Sequence, residues 1–246
     1  MTESVNVAAK PVIAEHAAVW EDFIDIFYAP SYVFARRQNG AFWIPMFTVT
    51  ILVGTLFYLN SGAMQPMMDA EFNRGMAVAM RNNPRMNAES VERFRQIGTR
   101  IGQVVIFVMT PLTIAMVGVC LWLLGKLFEA RQTFKAALMV AAYSHVPRVL
   151  EGVLNGLQAL MLDPANLNGR FRISLGPGRF IDPDTASPVL LAIVGRMDVF
   201  TIWITVLLAI GLSVTGNISR ARAAMAAALI WVIGALPLIV QAIRSM

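Results

Sequence analysis

Apolar residues run along this chain in long uninterrupted blocks. Residues 101–125, 199–219 and 223–243 contain no Asp, Glu, Lys or Arg. A bilayer core needs about 20 apolar residues per helix, and these blocks have that length. Of two further blocks, 41–59 carries no such charge and 136–162 carries only Arg148 and Glu151. The pattern predicts an all-α fold, a polytopic membrane bundle of about five transmembrane helices. Spans are expected near 41–59, 104–124, 136–162, 189–214 and 223–243, preceded by a cytoplasmic tail and amphipathic helix over 1–40.

The short elements between the blocks follow from spacing. Val12, Val19, Trp20, Phe23, Ile26 and Phe27 fall on one helical face, with Glu15, Asp22 and Asp25 elsewhere. Such a helix is too polar to span, so it docks on the bundle or lies on the membrane. Pro30 should end it. In the 60–102 loop, residues 64–80 are rich in methionine, Asn82-Asn83-Pro84 is a break, and Asn87 is placed to cap a helix leading into the second span. Pro147 should kink the third span. Phe171, Ile173 and Leu175 alternate with Arg170, Arg172 and Ser174 before Gly176-Pro177-Gly178, the pattern of a small hairpin outside the membrane.

Composition and charge sharpen this picture. The chain is 57% hydrophobic and 14% charged, against roughly 25% charged in soluble domains. Its net charge of +5 sits between apolar blocks, which argues for charge flanking a membrane and against a nucleic-acid partner. The basic turns at 126–135 and 220–222 fall on the side of Arg36 and Arg37, which places the N-terminus in the cytoplasm. Arg74, Arg81, Arg85, Arg93, Arg95 and Arg100 in the long loop pull against that orientation unless acids balance them. One cysteine, Cys120, and two histidines, His16 and His145, leave no disulfide or metal centre to expect. The N-terminal residues lack a secretory leader pattern. No phosphate loop, nucleophile elbow or zinc motif occurs, so neither an enzyme nor a cofactor is expected.

The residues that a bilayer should exclude carry the candidate chemistry. Ser144, Arg148, Glu151, Asn155 and Gln158 recur at helical spacing on one face of the third segment. Asp198, Thr201 and Thr205 form a shorter stripe in the fourth, with Arg196 on another side. Charge at the membrane centre costs several kcal/mol unless paired or hydrated. Arg148 should therefore meet Glu151 on its own helix or Asp198 across helices. Two readings follow: an ion pair that fixes helix packing, or a polar cavity for a solute, ion or lipid head group. Gly98, Gly102, Gly152 and Gly156, spaced by four, allow close helix approach.

Three stretches give the chain a family resemblance. Asp25-Ile26-Phe27-Tyr28-Ala29-Pro30 with Phe34 resembles the acidic–aliphatic–Tyr–small–Pro element that precedes the first span of Yip domain proteins, multi-span partners of Ypt/Rab GTPases. Ala142-Tyr143-Ser144-His145-Val146-Pro147 resembles the family's Gly-Tyr…Pro element, with Ala142 where glycine is usual. Asp198-x-Phe200-x-x-Trp203, running on to Gly211-Leu212, resembles the fourth-span pattern of bacterial-type members. The resemblance covers about residues 20–240 and implies Asp25, Pro30, Tyr143, Pro147, Asp198 and Trp203 as family positions. Physics offers the last five structural roles: a stop, a hydroxyl hydrogen bond, a kink, a buried counter-ion and an aromatic anchor. In eukaryotes the resemblance implies a non-catalytic part in vesicle traffic and membrane organisation; for bacterial-type members it implies the fold and leaves the function open. The expectation is a scaffold or adaptor in a bacterial inner membrane. Its partners would be the lipid bilayer, a protein at the cytoplasmic face and a second copy of itself. The alternative is a channel or transporter for a small polar solute or lipid.

Overall fold

The computed structural model describes residues 18–82 and 87–244, and every regular element among them is a helix, with no strand. The expectations for Val12, Glu15 and the Asn83-Pro84 break lie outside the described residues. Among the described residues four helical segments are long and apolar enough to cross a membrane, Trp43–Asn60, Ile101–Leu127, Val199–Gly216 and Arg220–Ile243, one fewer than the five spans expected.

The difference lies in the third segment, which is two helices. After α1 (Val19–Asp25), α2 (Pro30–Arg37), α3 (Trp43–Asn60), α4 (Gln65–Asn82) and α5 (Ala88–Leu127) come α6 (Phe134–Ser144) and α7 (Pro147–Met161). Pro147 has no N–H to give the carbonyl of Tyr143, and that carbonyl instead accepts from Val146 N at 3.1 Å while Ala142 O accepts from His145 N at 3.2 Å. The chain tightens into a turn, and Pro147 becomes the first residue of the next helix. At about 1.5 Å per residue, the two helices end to end are still long enough for one crossing.

Four other expectations are corrected as well. Pro30 starts α2 and does not end the helix before it, because the missing N–H costs nothing at a first helical position. The fourth segment divides into α8 (Pro188–Val194) and α9 (Val199–Gly216). Asp198 caps α9, its carboxylate accepting from Phe200 N at 2.9 Å. The anticipated hairpin at 171–175 is absent, and short turns hold that stretch, with Arg172 donating to Asn168 Oδ1 at 2.7 Å and Arg179 O at 3.0 Å. Finally, α10 (Arg220–Ile233) and α11 (Leu236–Arg244) are separated at Gly234-Ala235 ahead of Pro237. Asn87 does cap α5, accepting from Ser90 N at 2.9 Å.

α6 is the packed centre, with α5, α9 and α3 against it. Each of its residues from Ala136 to Ser144 is buried. Five of these are Ala or Ser, so neighbouring backbones approach closely. Gly118 of α5 lies against Leu138, and Gly211 of α9 lies against Val140. α7 then follows α3, with Gly152 against Leu56 and Gly156 against Asn60. By contrast, nothing lies within 4 Å of the space above Gly98 and Gly102, so only the second glycine pair serves close approach. Chain direction gives the bundle two ends. One carries Trp43, Leu127, Phe134, Gly216 and Arg220; the other carries Asn60, Met161, Pro188 and Val199.

A side chain at Gly211 would overlap Val140, whereas Gly75 faces open space on α4. Gly211→Leu should therefore lower stability by about 1–3 kcal/mol, the usual penalty of overpacking. Gly75→Ala should raise it by up to about 1 kcal/mol through helix propensity. Thermal melting in detergent reads both, and equal shifts would contradict the packing described.

Candidate functional site

The charged residues nearest the core are in the N-terminal helices, not in the third span. α1 and α2 fold back on each other and lie against α6 and α9. Ile26, Val33 and Phe34 are fully buried there, and the Phe27 ring meets Trp203 edge-on at 5.3 Å. At the centre is Asp22, with no exposed surface. Its Oδ1 accepts from Arg36 Nε at 2.7 Å, and its Oδ2 from Arg37 Nε at 2.7 Å and from Tyr143 at 2.9 Å. Arg36 also reaches Asp25 at 2.5 Å, and Tyr28 donates to the same Asp25 carboxylate.

This arrangement has a clear electrostatic logic. A buried carboxylate without partners is strongly destabilising, and here two guanidiniums and a phenol surround it. The Tyr28 hydroxyl and then Arg36 hold the Asp25 carboxyl below its ordinary range. The same hydrogen bond to Asp25 pushes Tyr28 up. Burial alone would lower the Arg36 guanidinium, but its hydrogen bonds to Asp25 and Asp22 outweigh that and raise it. Asp25, Tyr143 and Trp203, expected from the resemblance alone, thus lie around one docking site although they are separated widely along the chain.

Asp22, expected off the apolar face, is buried at its centre, and Arg36 and Arg37, expected as membrane-flanking charge, are its cations. The signal was present. Val19, Asp22, Phe23 and Ile26 follow i, i+3, i+4, i+7 spacing, which puts Asp22 inside the apolar stripe, where a carboxylate requires a cation.

The polar stripe of the third segment does not stay together. Arg148 pairs with Glu151 at 2.5 Å, on its own helix, and donates to Thr201 of α9 at 3.2 Å. Asp198 is not its partner; its second oxygen accepts from Leu175 N at 2.9 Å. Ser144 is buried in the core with its hydroxyl unpartnered. Gln158 ties α7 to the following loop through Ile173 O at 2.9 Å. Arg196 clasps α10, donating to Trp231 O at 3.0 Å while Trp231 Nε1 donates to Arg196 O at 3.2 Å.

Beside the Arg148–Glu151 pair lies a cavity of about 450 Å³ between α3, α5 and α7. Val49, Val53, Leu56 and Ile106 form apolar walls, and His145, Arg148, Glu151 and Asn155 form a polar one. His145 donates from Nδ1 to Ala141 O at 2.7 Å, because a carbonyl can only accept. The volume is within the range of small-molecule sites, about 300–1,000 Å³.

A family model, the Yip1 domain, matches residues 24–241. No curated protein and no solved structure matches the chain.

Replacing Asp22 by Asn leaves two guanidiniums around a neutral amide. It should cost about 3–5 kcal/mol, as breaking a buried pair does. Tyr143→Phe removes one hydrogen bond to a charged group and should cost about 1.5–3 kcal/mol. Both are read by thermal melting, and tryptic cleavage after Arg36 or Arg37 should become fast in the first variant. Asp25 adds a pH dependence. Its depressed pKa gives stability that is complete above the ordinary carboxylate value near 3.8. That contribution is lost as pH falls from there through the lower folded value. Asp25→Asn should remove this acid limb; an unchanged acid profile would contradict the pairing.

Proposed function

The chain belongs to the Yip1 domain family, and from that premise we propose that this multi-pass membrane protein is a non-catalytic scaffold or adaptor working through its N-terminal helices. The observation that carries the reading is the way α1 is held. Asp22 is met by Arg36, Arg37 and Tyr143, which ties α1 to α2 and to α6. The outer surface of α1, the turn after it and α2 then presents Trp20, Ile24, Tyr28 and Tyr32, which are 64%, 54%, 71% and 46% exposed. Aromatic side chains offer large contact area at low entropic cost. The face can serve a protein partner at the membrane surface.

We place this face in the cytoplasm, in a bacterial inner membrane. The end of the bundle it occupies also carries Lys126, Arg131, Lys135, Arg220 and Arg222, and short basic loops stay inside. Three arginines of the opposite end are balanced by acids: Arg74 with Glu71 and Asp184, Arg93 with Glu89, and Arg95 with Asp69. They weigh little against that orientation.

A second reading, a channel or transporter for a polar solute or lipid, draws on the cavity beside Arg148. The two readings separate in one experiment. A photo-crosslinking residue at Tyr28, activated in the native membrane, should capture one protein species reproducibly. That capture should disappear when Asp22→Asn frees the helix. Capture of lipid alone, or of the same species with and without the Asp22 lock, would overturn the adaptor reading and leave flux in reconstituted vesicles as the next assay.

A further inference from the structure

The cavity between α3, α5 and α7 has a definite chemical character along its length. Its apolar walls include Val53 and Leu56 from α3 and Ile106 and Met109 from α5. Met109 is 46% exposed and lies in the apolar stretch Ile101–Leu127, so the cavity borders an outer flank of the bundle that is apolar enough to face a bilayer. At the end of the bundle bearing Asn60, Arg170 lines it as well. The Arg170 backbone is held by Glu71, Arg170 N donating at 2.9 Å, and its guanidinium lies 4.8 Å from the Phe171 ring centre. It forms no ion pair with any described residue.

Charge therefore separates along the cavity. Arg148 is compensated by Glu151. Arg170 is the remaining cation, at the same mouth where the apolar walls end. An exposed arginine beside an aromatic ring is a ready partner for a carboxylate or phosphate. An apolar slot bordering such a flank suits a hydrocarbon chain, which enters without losing hydration.

We propose that this cavity binds an anionic amphiphile, a single acyl chain along α3 and α5 with its carboxylate or phosphate on Arg170. The inference deepens the second reading above, since it names the chemistry of that cavity, but it requires binding only. Binding without flux would retain the site and remove transport.

The full-length protein in phosphatidylcholine nanodiscs is the system for the test. Two probes carry a photoreactive diazirine in a palmitoyl chain: the free fatty acid and a phosphatidylglycerol. Their neutral counterparts are the fatty alcohol and a phosphatidylcholine with the same chain. Labelling by an anionic probe should map to Val53–Phe57 and 106–113 and should exceed that by its neutral counterpart about tenfold, the scale of one charge-assisted contact. Which anionic probe labels tells a free fatty acid from a phospholipid. Arg170→Gln, at an exposed position, should fold normally and remove that preference. Val53→Phe fills the apolar slot and should abolish labelling while Arg170 stays. Equal labelling by charged and neutral probes, or labelling that survives Val53→Phe in protein of unchanged melting temperature, overturns the proposal.

Discussion

A carboxylate sealed inside a protein must be met by cations and hydrogen-bond donors, or the segment that carries it will not stay packed. Asp22 imposes that condition on the N-terminal third of this molecule. It can be buried only if Arg36 and Arg37 fold back over it, which fixes the angle between α1 and α2. It also needs the hydroxyl of Tyr143, which attaches both helices to α6. Ile26, Val33 and Phe34 supply the apolar contact, but such contact is non-directional. The register comes from the charges.

α6 can accept this docking because it is an unusual central helix. Its buried residues are mostly small, its neighbours bring Gly118 and Gly211 to it, and it stops at Ser144. The stop matters for the other site as well. The turn at His145-Val146 redirects the chain, so that α7 follows α3 and places Arg148 and Glu151 beside the cavity. A straight helix from 134 to 161 would have no turn to swing Arg148 and Glu151 toward that wall. Pro147, through its missing N–H, thus separates a packed half from a half that encloses space.

Much of this was legible in the residues. Uncharged runs mark the long helices because a bilayer tolerates no other composition over that length. Asn87 and Pro147 announced a cap and a break through chemistry local to a few residues. The Yip1 resemblance was legible too, in three short motifs, and residues 24–241 match that family. What the sequence concealed depends on packing. Asp198 reads as an intramembrane charge when the apolar residues on both sides are counted together; it is a helix cap once Gly195 and Arg196 end α8. Residues 171–175 alternate as a strand does, but alternation says nothing about whether a partner strand exists. The cage around Asp22 joins residues up to 121 positions apart. Only the i, i+3, i+4, i+7 placement of Asp22 among apolar residues hinted at it, and the hint does not name the cations.

The account stands or falls on whether the Asp22 cage holds α1 and α2 on the bundle. Hydrogen–deuterium exchange in detergent, followed by peptide over residues 18–40, measures this directly. In the wild-type protein the amides of α1 and α2 should be protected nearly as well as those of α6. In Asp22→Asn they should exchange quickly while α6 and α9 stay protected. Equal protection of residues 18–40 in both proteins would contradict the account, because apolar contact alone would then be holding the helices in place.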